Sequence, residues 1–242
     1  MNLIIDAGNT AIKLAVFDNE ALLFDETIDE GDFAIKVKDF FDRHADIGHA
    51  IVSTVGGLDQ KSIAVLSVFC QVHILGPSSK IPFKNSYATP QTLGVDRIAL
   101  AAAAFYFNLK ANTLVIDAGT CITYDMINDY GEYLGGAISP GLSMRYKALH
   151  DQTSKLPMLA FEEPLGLIGN STRTCIHSGV VNGICNEIDG LIYQYNSRFA
   201  DLTVILTGGD AHFLSKRLKN TIFAHSKFLL VGLNHLLEYN KR

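Results

Sequence analysis

The sequence predicts an α/β protein built from two copies of one domain, because two of its patterns occur twice. Residues 3–18 read LIIDAGNTAIKLAVFD, and residues 114–129 read LVIDAGTCITYDMIND. Each segment has an apolar run that enters Asp-Ala-Gly and a second apolar run after the turn. The second pattern is HAIVSTVGG at residues 49–57, which TVILTGGD echoes at residues 203–210. Repetition in the same order indicates duplication of a unit with the element order β-β-β-α-β-α-β.

Residues 1–112 are predicted to form the N-terminal domain. Runs of β-branched and aliphatic residues, separated by turn residues, predict a three-stranded antiparallel meander, and apolar spacing predicts the elements that follow it. The predicted strands are 3–8, 11–17, 21–28, 49–57 and 72–75, and the predicted helices are 33–44, 59–69 and 95–108. Residues 76–94 are rich in Pro, Ser, Asn and Gly and predict a long loop, a kind of segment that often carries function.

Residues 113–242 are predicted to form the C-terminal domain, which restarts with the same strand, turn and strand. The further predicted elements are strands at 131–141 and 203–210 and helices at 142–150, 171–197, 211–218 and 227–240. Residues 151–168 contain two prolines and predict a loop. Because no flexible linker separates the halves, the alanine-rich helix at 95–108 is expected to join them rigidly.

Composition narrows the class of protein. The chain has 242 residues, of which 48% are hydrophobic, and a formal net charge of -5. A sizeable core is therefore expected, and the lack of a basic run disfavours nucleic acid as the main partner. The N-terminal apolar stretch is broken by Asp6 and Lys13, which argues against a signal peptide or a membrane span. The four cysteines lack metal-ligand spacing, so a reduced, cytoplasmic setting is expected.

The repeated Asp-Ala-Gly turns are candidate phosphate-binding elements. Backbone N–H groups of a tight glycine turn can bind an anion, and glycine lets the anion approach the backbone. Asp6 and Asp117 precede these two turns, and carboxylates beside phosphates repel them unless a cation intervenes, which argues for a bound metal. Either turn alone is also compatible with an ordinary hairpin.

The element order resembles the duplicated ribonuclease-H-like fold of actin, hexokinase, acetate kinase and the Hsp70 ATPase, in which ATP lies in a cleft between the halves. Six motifs are similar, in order, to those of the type III pantothenate kinases, and they span essentially the whole chain. They are Asp6, Gly8, Asn9, Thr10 and Lys13; Gly94-Val95-Asp96-Arg97; Asp117-Ala118-Gly119-Thr120 with Thr123; Gly135 to Gly141; Gly169, Thr172, Ser178 and Gly179; and Thr207-Gly208-Gly209.

This resemblance implies a set of nucleotide-binding and cation-binding residues. ATP with Mg²⁺ is expected to bind at Asp6, Ala7, Gly8, Asn9, Thr10, Lys13, Gly119 and Thr120. Asp6 is expected to serve Mg-ATP through water, and Asp117 to ligate a monovalent cation, K⁺ or NH₄⁺. From the residues alone, a solvated residue at a strand edge is the usual explanation for a lysine such as Lys13.

The resemblance also implies a substrate site for pantothenate. Its expected residues are Tyr87, Gly94, Val95, Asp96, Arg97 and Thr172. Asp96 is expected to be the base that accepts the proton of the primary hydroxyl, and Thr172 to contact pantothenate from the neighbouring subunit of a homodimer. Helix-terminal polarity offers another explanation for Asp96 and Thr172, and core capping offers one for Tyr87.

The expected function is ATP-dependent phosphorylation of pantothenate to 4′-phosphopantothenate, the first step of coenzyme A biosynthesis. Two alternatives stay open at this point. One is a kinase for another small hydroxylated metabolite, because a fold does not determine the substrate. The other is a regulator that senses a ligand without turnover. Against the regulator, the chain shows no helix-turn-helix or basic stripe, and the candidate base Asp96 is present.

Overall fold

The fold is given by a computed structural model, which describes residues 1–8, 11–54 and 58–241. Its elements in chain order are β1 (Asn2–Ala7), β2 (Ile12–Asp18), β3 (Ala21–Ile28), α1 (Phe33–Arg43), β4 (His49–Thr54), α2 (Gln60–Phe69), β5 (Gln71–Ile74), β6 (Lys84–Asn85), α3 (Val95–Phe107), β7 (Thr113–Ala118), β8 (Cys121–Ile127), β9 (Glu132–Pro140), α4 (Leu142–Asp151), α5 (Thr172–Asn196), β10 (Thr203–Thr207), α6 (Ala211–Ser215), β11 (Phe223–Ala224) and α7 (Phe228–Asn240). The chain divides into two compact units, residues 1–109 with the chain from 227 onward, and residues 110–226.

The first unit is organised around a five-stranded sheet in the order β3-β2-β1-β4-β5. Its central strand, β1, is buried along its whole length, as its run of apolar residues predicts. β1 pairs antiparallel with β2 and parallel with β4. The meander therefore lies on one side of β1, and the strands reached through helices lie on the other.

The second unit repeats this arrangement. Its strands follow the order β9-β8-β7-β10-β11, which is the order of the first sheet with β7 in the place of β1. β7 pairs antiparallel with β8 and parallel with β10, as β1 does with β2 and β4. The predicted α/β fold with a duplicated domain is confirmed. The long helix α5 covers one face of this sheet, where Val181, Ile184 and Ile188 are buried with residues of β7 and β8.

The C-terminal helix α7 packs within the first unit, whereas the predicted boundary between residues 112 and 113 assigned it to the second domain. Asn234 of α7 is buried and accepts a hydrogen bond from the Asn2 side chain of β1 at 2.7 Å. α7 also approaches α3 closely, because a Cβ at Gly232 would overlap the carbonyl oxygen of Ala99. The apolar pattern of α7 predicts a helix, but it does not determine which of two cores the helix covers.

Most predicted elements agree with the structure to within a few residues, and the exceptions have local causes. The predicted strand 203–210 ends at Thr207, because Gly208 has a φ of 96° and turns the chain back. The last three residues of the predicted strand 49–57 lie outside the described residues. β6 and β11 have two residues each, too few to leave a local pattern. In the described part of the chain, no helix is long and apolar enough to cross a membrane.

Candidate functional site

In the first unit, Asp6 lies near the end of β1 between two neighbouring strands. One neighbour, Lys13, was predicted to bind the nucleotide, and the other, Ser53, was not predicted. The strand register places it opposite Lys13 of β2 and Ser53 of β4. The Lys13 Nζ lies 3.6 Å from Asp6 Oδ2, and the Lys13 side chain is about half exposed while Asp6 is buried. Ser53 is buried too, and its hydroxyl lies close enough to Asp6 to oppose the rise in the pKa of that carboxyl. The carboxylate of Asp6, which precedes the first glycine turn, therefore lies in a polar cluster with Lys13 and Ser53.

The negative charge of Asp96 acts on the buried carboxyl of Asp6. Burial raises the pKa of Asp6, the neighbouring Lys13 opposes that rise, and the negative charge of Asp96 adds to it. Two mutually repelling carboxylates in a partly buried site are stabilised by a cation. Oxygen donors of this type suit Mg²⁺, which takes one or two carboxylates and completes its shell with waters and substrate phosphates. Asp6 therefore fits a Mg-ATP site that lies beside the candidate base Asp96.

Asp96 lies in the first turn of α3, and the backbone around it sets the direction of its carboxylate. Asp96 Oδ1 accepts a hydrogen bond from the Arg97 N–H at 2.9 Å. Gly94 precedes the helix, and a Cβ at that position would overlap the same oxygen. The predicted Gly94, Val95 and Asp96 segment thus forms a turn in which the glycine leaves space for the carboxylate of the candidate base.

Arg97 and Tyr87 come together in the same unit. Arg97 is only 5% exposed, which is unusual for a cation. Its guanidinium carbon lies 5.7 Å from the centre of the Tyr87 ring, a cation–π distance. The loop that carries Tyr87 is thereby positioned beside the start of α3.

In the second unit, Asp117 holds the place in β7 that Asp6 holds in β1, and the turn that follows it is one residue shorter. The Gly119 N–H donates to the Cys121 carbonyl at 3.0 Å, and in the first unit the Gly8 N–H donates to the Ala11 carbonyl at 3.2 Å. The turn after β10 packs against Asp117, because a Cβ at Gly208 would overlap its Oδ1. A carboxylate oxygen beside backbone carbonyls is a hard donor set that suits a cation.

Thr172, the last predicted substrate residue, is the first residue of α5. The preceding Ser171 caps this helix by accepting the Thr174 N–H at 3.2 Å, so Thr172 itself is left exposed at the helix start. It lies in the lining of a groove of about 1080 Å³ between α4, α5 and residues 153–171. The groove belongs wholly to the second unit.

The structure accounts for the predicted residues in three groups. One group lies in the first unit and one lies in the second unit. The third group, Asn9 and Thr10, lies outside the described residues. The first-unit group comprises Asp6, Ala7, Gly8, Lys13, Tyr87, Gly94, Val95, Asp96 and Arg97, and the second-unit group comprises Asp117, Gly119, Thr120 and Thr172. Among the described residues, no three His, Cys, Asp or Glu side chains converge as a metal site.

Sequence reasoning missed Ser53 and a part-buried ion pair between Arg145 and Glu187. Ser53 has a signal in the sequence, since the segment that contains it is echoed at residues 203–207, where Thr207 lies opposite Asp117. No signal in the sequence indicates the ion pair, because its partners are 42 residues apart. Burial disfavours the ionised form of Glu187, but hydrogen bonds from Ser139 and Arg145 hold its pKa below the ordinary value.

The chain matches one family along most of its length. A profile described as Type III pantothenate kinase matches residues 2–194. A Flavobacterium johnsoniae protein of that name is 47% identical over 239 residues, which cover 99% of this chain and 98% of that protein. A protein of the same name from Christiangramia forsetii is 49% identical over 241 residues, covering 100% and 99%.

Two solved structures are similar in fold. A candidate Baf family transcriptional activator from Campylobacter jejuni gives a TM-score of 0.62 at 22% identity, covering 99% of this chain and 98% of that one. A candidate N-acetylmannosamine kinase from Listeria monocytogenes gives a TM-score of 0.55 at 14% identity, covering 100% and 99%. At these identities the likeness concerns the fold alone.

Proposed function

The chain belongs to the type III pantothenate kinase family, and we propose that Asp96 is the base in its phosphorylation of pantothenate. The reaction of the family is ATP-dependent phosphorylation of pantothenate in coenzyme A biosynthesis, and the chain is a phosphotransferase of this kind. The observation that carries the assignment is the Asp96 carboxylate, which the Arg97 N–H orients in the space left by Gly94 and whose negative charge acts on the buried Asp6, the candidate Mg-ATP carboxylate.

Asp96 has the chemistry that attack on a γ-phosphate needs. The primary alcohol of pantothenate must lose its proton and must be aligned with the phosphorus, and an aspartate within hydrogen-bond distance does both. The Arg97 N–H occupies one side of Asp96 Oδ1. That bond holds the carboxylate in one orientation, so the base is positioned before the substrate binds.

The nucleotide contacts proposed in the first unit are the glycine turn after Asp6 and Lys13, and the glycine turn after Asp117 is the one proposed in the second unit. Lys13, half exposed beside Asp6, can turn its ammonium group to a phosphate oxygen. Mg²⁺, when bound, neutralises charge that develops on the transferred phosphoryl group. Asp117 is the proposed ligand of a monovalent cation. The proposed nucleotide residues are Asp6, Ala7, Gly8, Asn9, Thr10, Lys13, Gly119 and Thr120.

Pantothenate is proposed to bind at Tyr87 and the segment Gly94 to Arg97. Its carboxylate needs a cationic partner, and Arg97 offers one that is already desolvated and held against an aromatic ring. Hydrogen bonds to an ionised partner are stronger than neutral ones. The guanidinium is therefore the proposed carboxylate anchor.

A homodimer with a shared substrate site is also part of the proposal. The segment before α5 exposes three large apolar side chains, Leu165, Leu167 and Ile168, with exposed fractions of 104%, 76% and 90%. Apolar side chains exposed together at this level mark an interaction surface. They adjoin the groove that contains Thr172, so a second copy covering this surface is the proposed source of the contact between Thr172 and pantothenate.

A cytoplasmic location is proposed as well, supported by the four cysteines, all of which lie in the described part of the chain and are free thiols.

The substrate is tested by measuring ADP release from Mg-ATP with a panel of alcohols that includes pantothenate, glucose and N-acetylmannosamine. Of the alcohols in the panel, only pantothenate is expected to support ADP release. Turnover with a sugar and none with pantothenate would contradict the assignment.

A further inference from the structure

The turn at Gly119 and Thr120 is held from behind by the backbone of Gly141. The Gly141 N–H donates to the Thr120 carbonyl at 3.1 Å. A Cβ at position 141 would overlap the carbonyl oxygens of both Gly119 and Thr120. In a trans peptide the C=O and the N–H point in opposite directions. Because the Gly119 carbonyl faces Gly141, the N–H of Thr120 points away from Gly141, to the opposite side of the turn.

Gly141 is in turn fixed by Arg145, one helical turn further along α4. The Arg145 Nε donates to the Pro140 carbonyl at 2.9 Å, and the Arg145 N–H donates to the Gly141 carbonyl at 3.1 Å. One residue thus holds both peptide groups of the Pro140–Gly141 segment. A shift of the Arg145 side chain would move the segment against which the turn rests.

Arg145 is held by Glu187 from the middle of α5. The Arg145 Nη2 donates to Glu187 Oε2 at 2.6 Å, and the Ser139 hydroxyl donates to Glu187 Oε1 at 2.5 Å. The Tyr124 hydroxyl donates to the same Oε1 at 3.3 Å. Both charged side chains are largely buried, with exposed fractions of 21% and 28%. Solvent therefore screens this pair less than it screens an exposed ion pair.

We propose that Arg145 and Glu187 are positioning residues that hold the Gly119–Thr120 turn in the conformation that binds the phosphates of ATP. The inference rests on the proposed function in one respect, that this turn binds the nucleotide. Neither residue needs to touch ATP, since both act through Pro140 and Gly141. The pair links α4, α5 and the end of β9 to the turn.

The test is the affinity for Mg-ATP, measured by isothermal titration calorimetry without pantothenate. The variants Glu187→Gln and Arg145→Lys keep the size of each side chain and remove the charge of one and the forked geometry of the other. Each is expected to weaken Mg-ATP binding about 10-fold. The double variant is expected to bind no more weakly than the worse single variant, because both changes break one connection. In kinetic assays, KM for ATP is expected to rise while KM for pantothenate is unchanged in Glu187→Gln.

A matched control is Arg217→Lys. Arg217 forms an ion pair with Glu163 in the same unit at 2.6 Å, with the arginine side chain 24% exposed and the glutamate side chain 64% exposed. This variant is expected to bind Mg-ATP like the wild type. Should Glu187→Gln fail to fold, Ser139→Ala removes the hydroxyl that donates to Glu187 and accepts from Arg145. It is expected to weaken binding about 3-fold.

Folded variants that bind Mg-ATP as the wild type does would overturn the inference and leave the proposed function standing. Equal weakening in Arg217→Lys would also overturn it, because general loosening of the unit would then explain the effect. A wild-type protein that does not bind Mg-ATP would remove the inference together with the nucleotide site of the proposed function.

Discussion

At the scale of single residues, Asp96 combines a structural and a proposed chemical role that one substitution separates. In Asp96→Asn the amide oxygen can still accept the Arg97 N–H, so the turn is preserved while the basicity is lost. We expect kcat to fall about 100-fold or more, with a thermal midpoint close to that of the wild type. Steady-state ADP release and thermal unfolding provide the two measurements. Asp42→Asn, an exposed aspartate in α1, is the control.

Gly94→Ala tests the orientation of the same carboxylate without changing it chemically. The φ of Gly94 is −58°, which any residue adopts, so the backbone tolerates alanine. The new methyl group would occupy the space of Asp96 Oδ1, and the flexible carboxylate must move. A misplacement of about 1 Å costs about 100-fold in rate, so kcat is expected to fall while stability is nearly unchanged. Full activity in this variant would contradict the proposed orientation of the base.

At the residue level, the repeats in the sequence indicate equivalent positions, whereas side chains with distant partners leave no signal. Asp6 and Asp117 precede repeated turns, and the structure places them at equivalent positions of two equivalent sheets. Ser53 lies opposite Asp6 through a strand register that only pairing determines. Arg145 and Glu187 each have an ordinary helical environment in sequence, and their ion pair arises from the packing of α4 on α5.

At the scale of elements, the contact between α3 and α7 depends on small residues. Gly232→Ala would place a methyl group over the Ala99 carbonyl oxygen and 3.1 Å from the Ala103 Cβ. The helices must move apart, and overpacking of this kind destabilises a protein by about 1–3 kcal/mol. The urea midpoint of unfolding is therefore expected to fall.

The control for this prediction is Gly190→Ala in α5, which adds the same methyl group where no atom lies within 4 Å. Alanine is favoured over glycine inside a helix by about 0.5–1 kcal/mol, so this variant should be more stable than the wild type. A Gly232→Ala protein as stable as the control would show that the close approach of α7 to α3 is absent.

Elements were predictable where local pattern determines them. The central strands β1 and β7 are uninterrupted apolar runs, and α3 is an alanine-rich run after a glycine. The short strand β11 exists because β10 offers it a parallel partner at Ile205 and Leu206, and no local pattern announces that. The helix α7 was predicted, but its place in the first unit depends on Asn234 and Gly232 meeting complementary partners.

At the scale of the whole molecule, the proposed shared site predicts complementation between two impaired subunits. Thr172→Val should raise KM for pantothenate about 10-fold, and Asp96→Asn should be nearly inactive. Random mixing gives heterodimers in half of the molecules, and each heterodimer regains one intact site of two. At low pantothenate concentration, the intact sites of the mixture are therefore expected to supply about a quarter of the wild-type activity. Activity equal to the average of the two separate proteins would exclude a shared site.

The central claim is that the chain transfers phosphate from ATP to pantothenate, and it is tested most directly by ADP release from purified protein with Mg-ATP. The assay is run with and without pantothenate, in potassium and then in sodium buffer. We expect turnover that requires pantothenate and is greater with potassium, as the proposed cation site at Asp117 implies. Equal turnover in the two buffers would remove the cation-binding role from Asp117 and would leave the kinase activity standing. No pantothenate-dependent turnover from folded protein in either buffer would contradict the account.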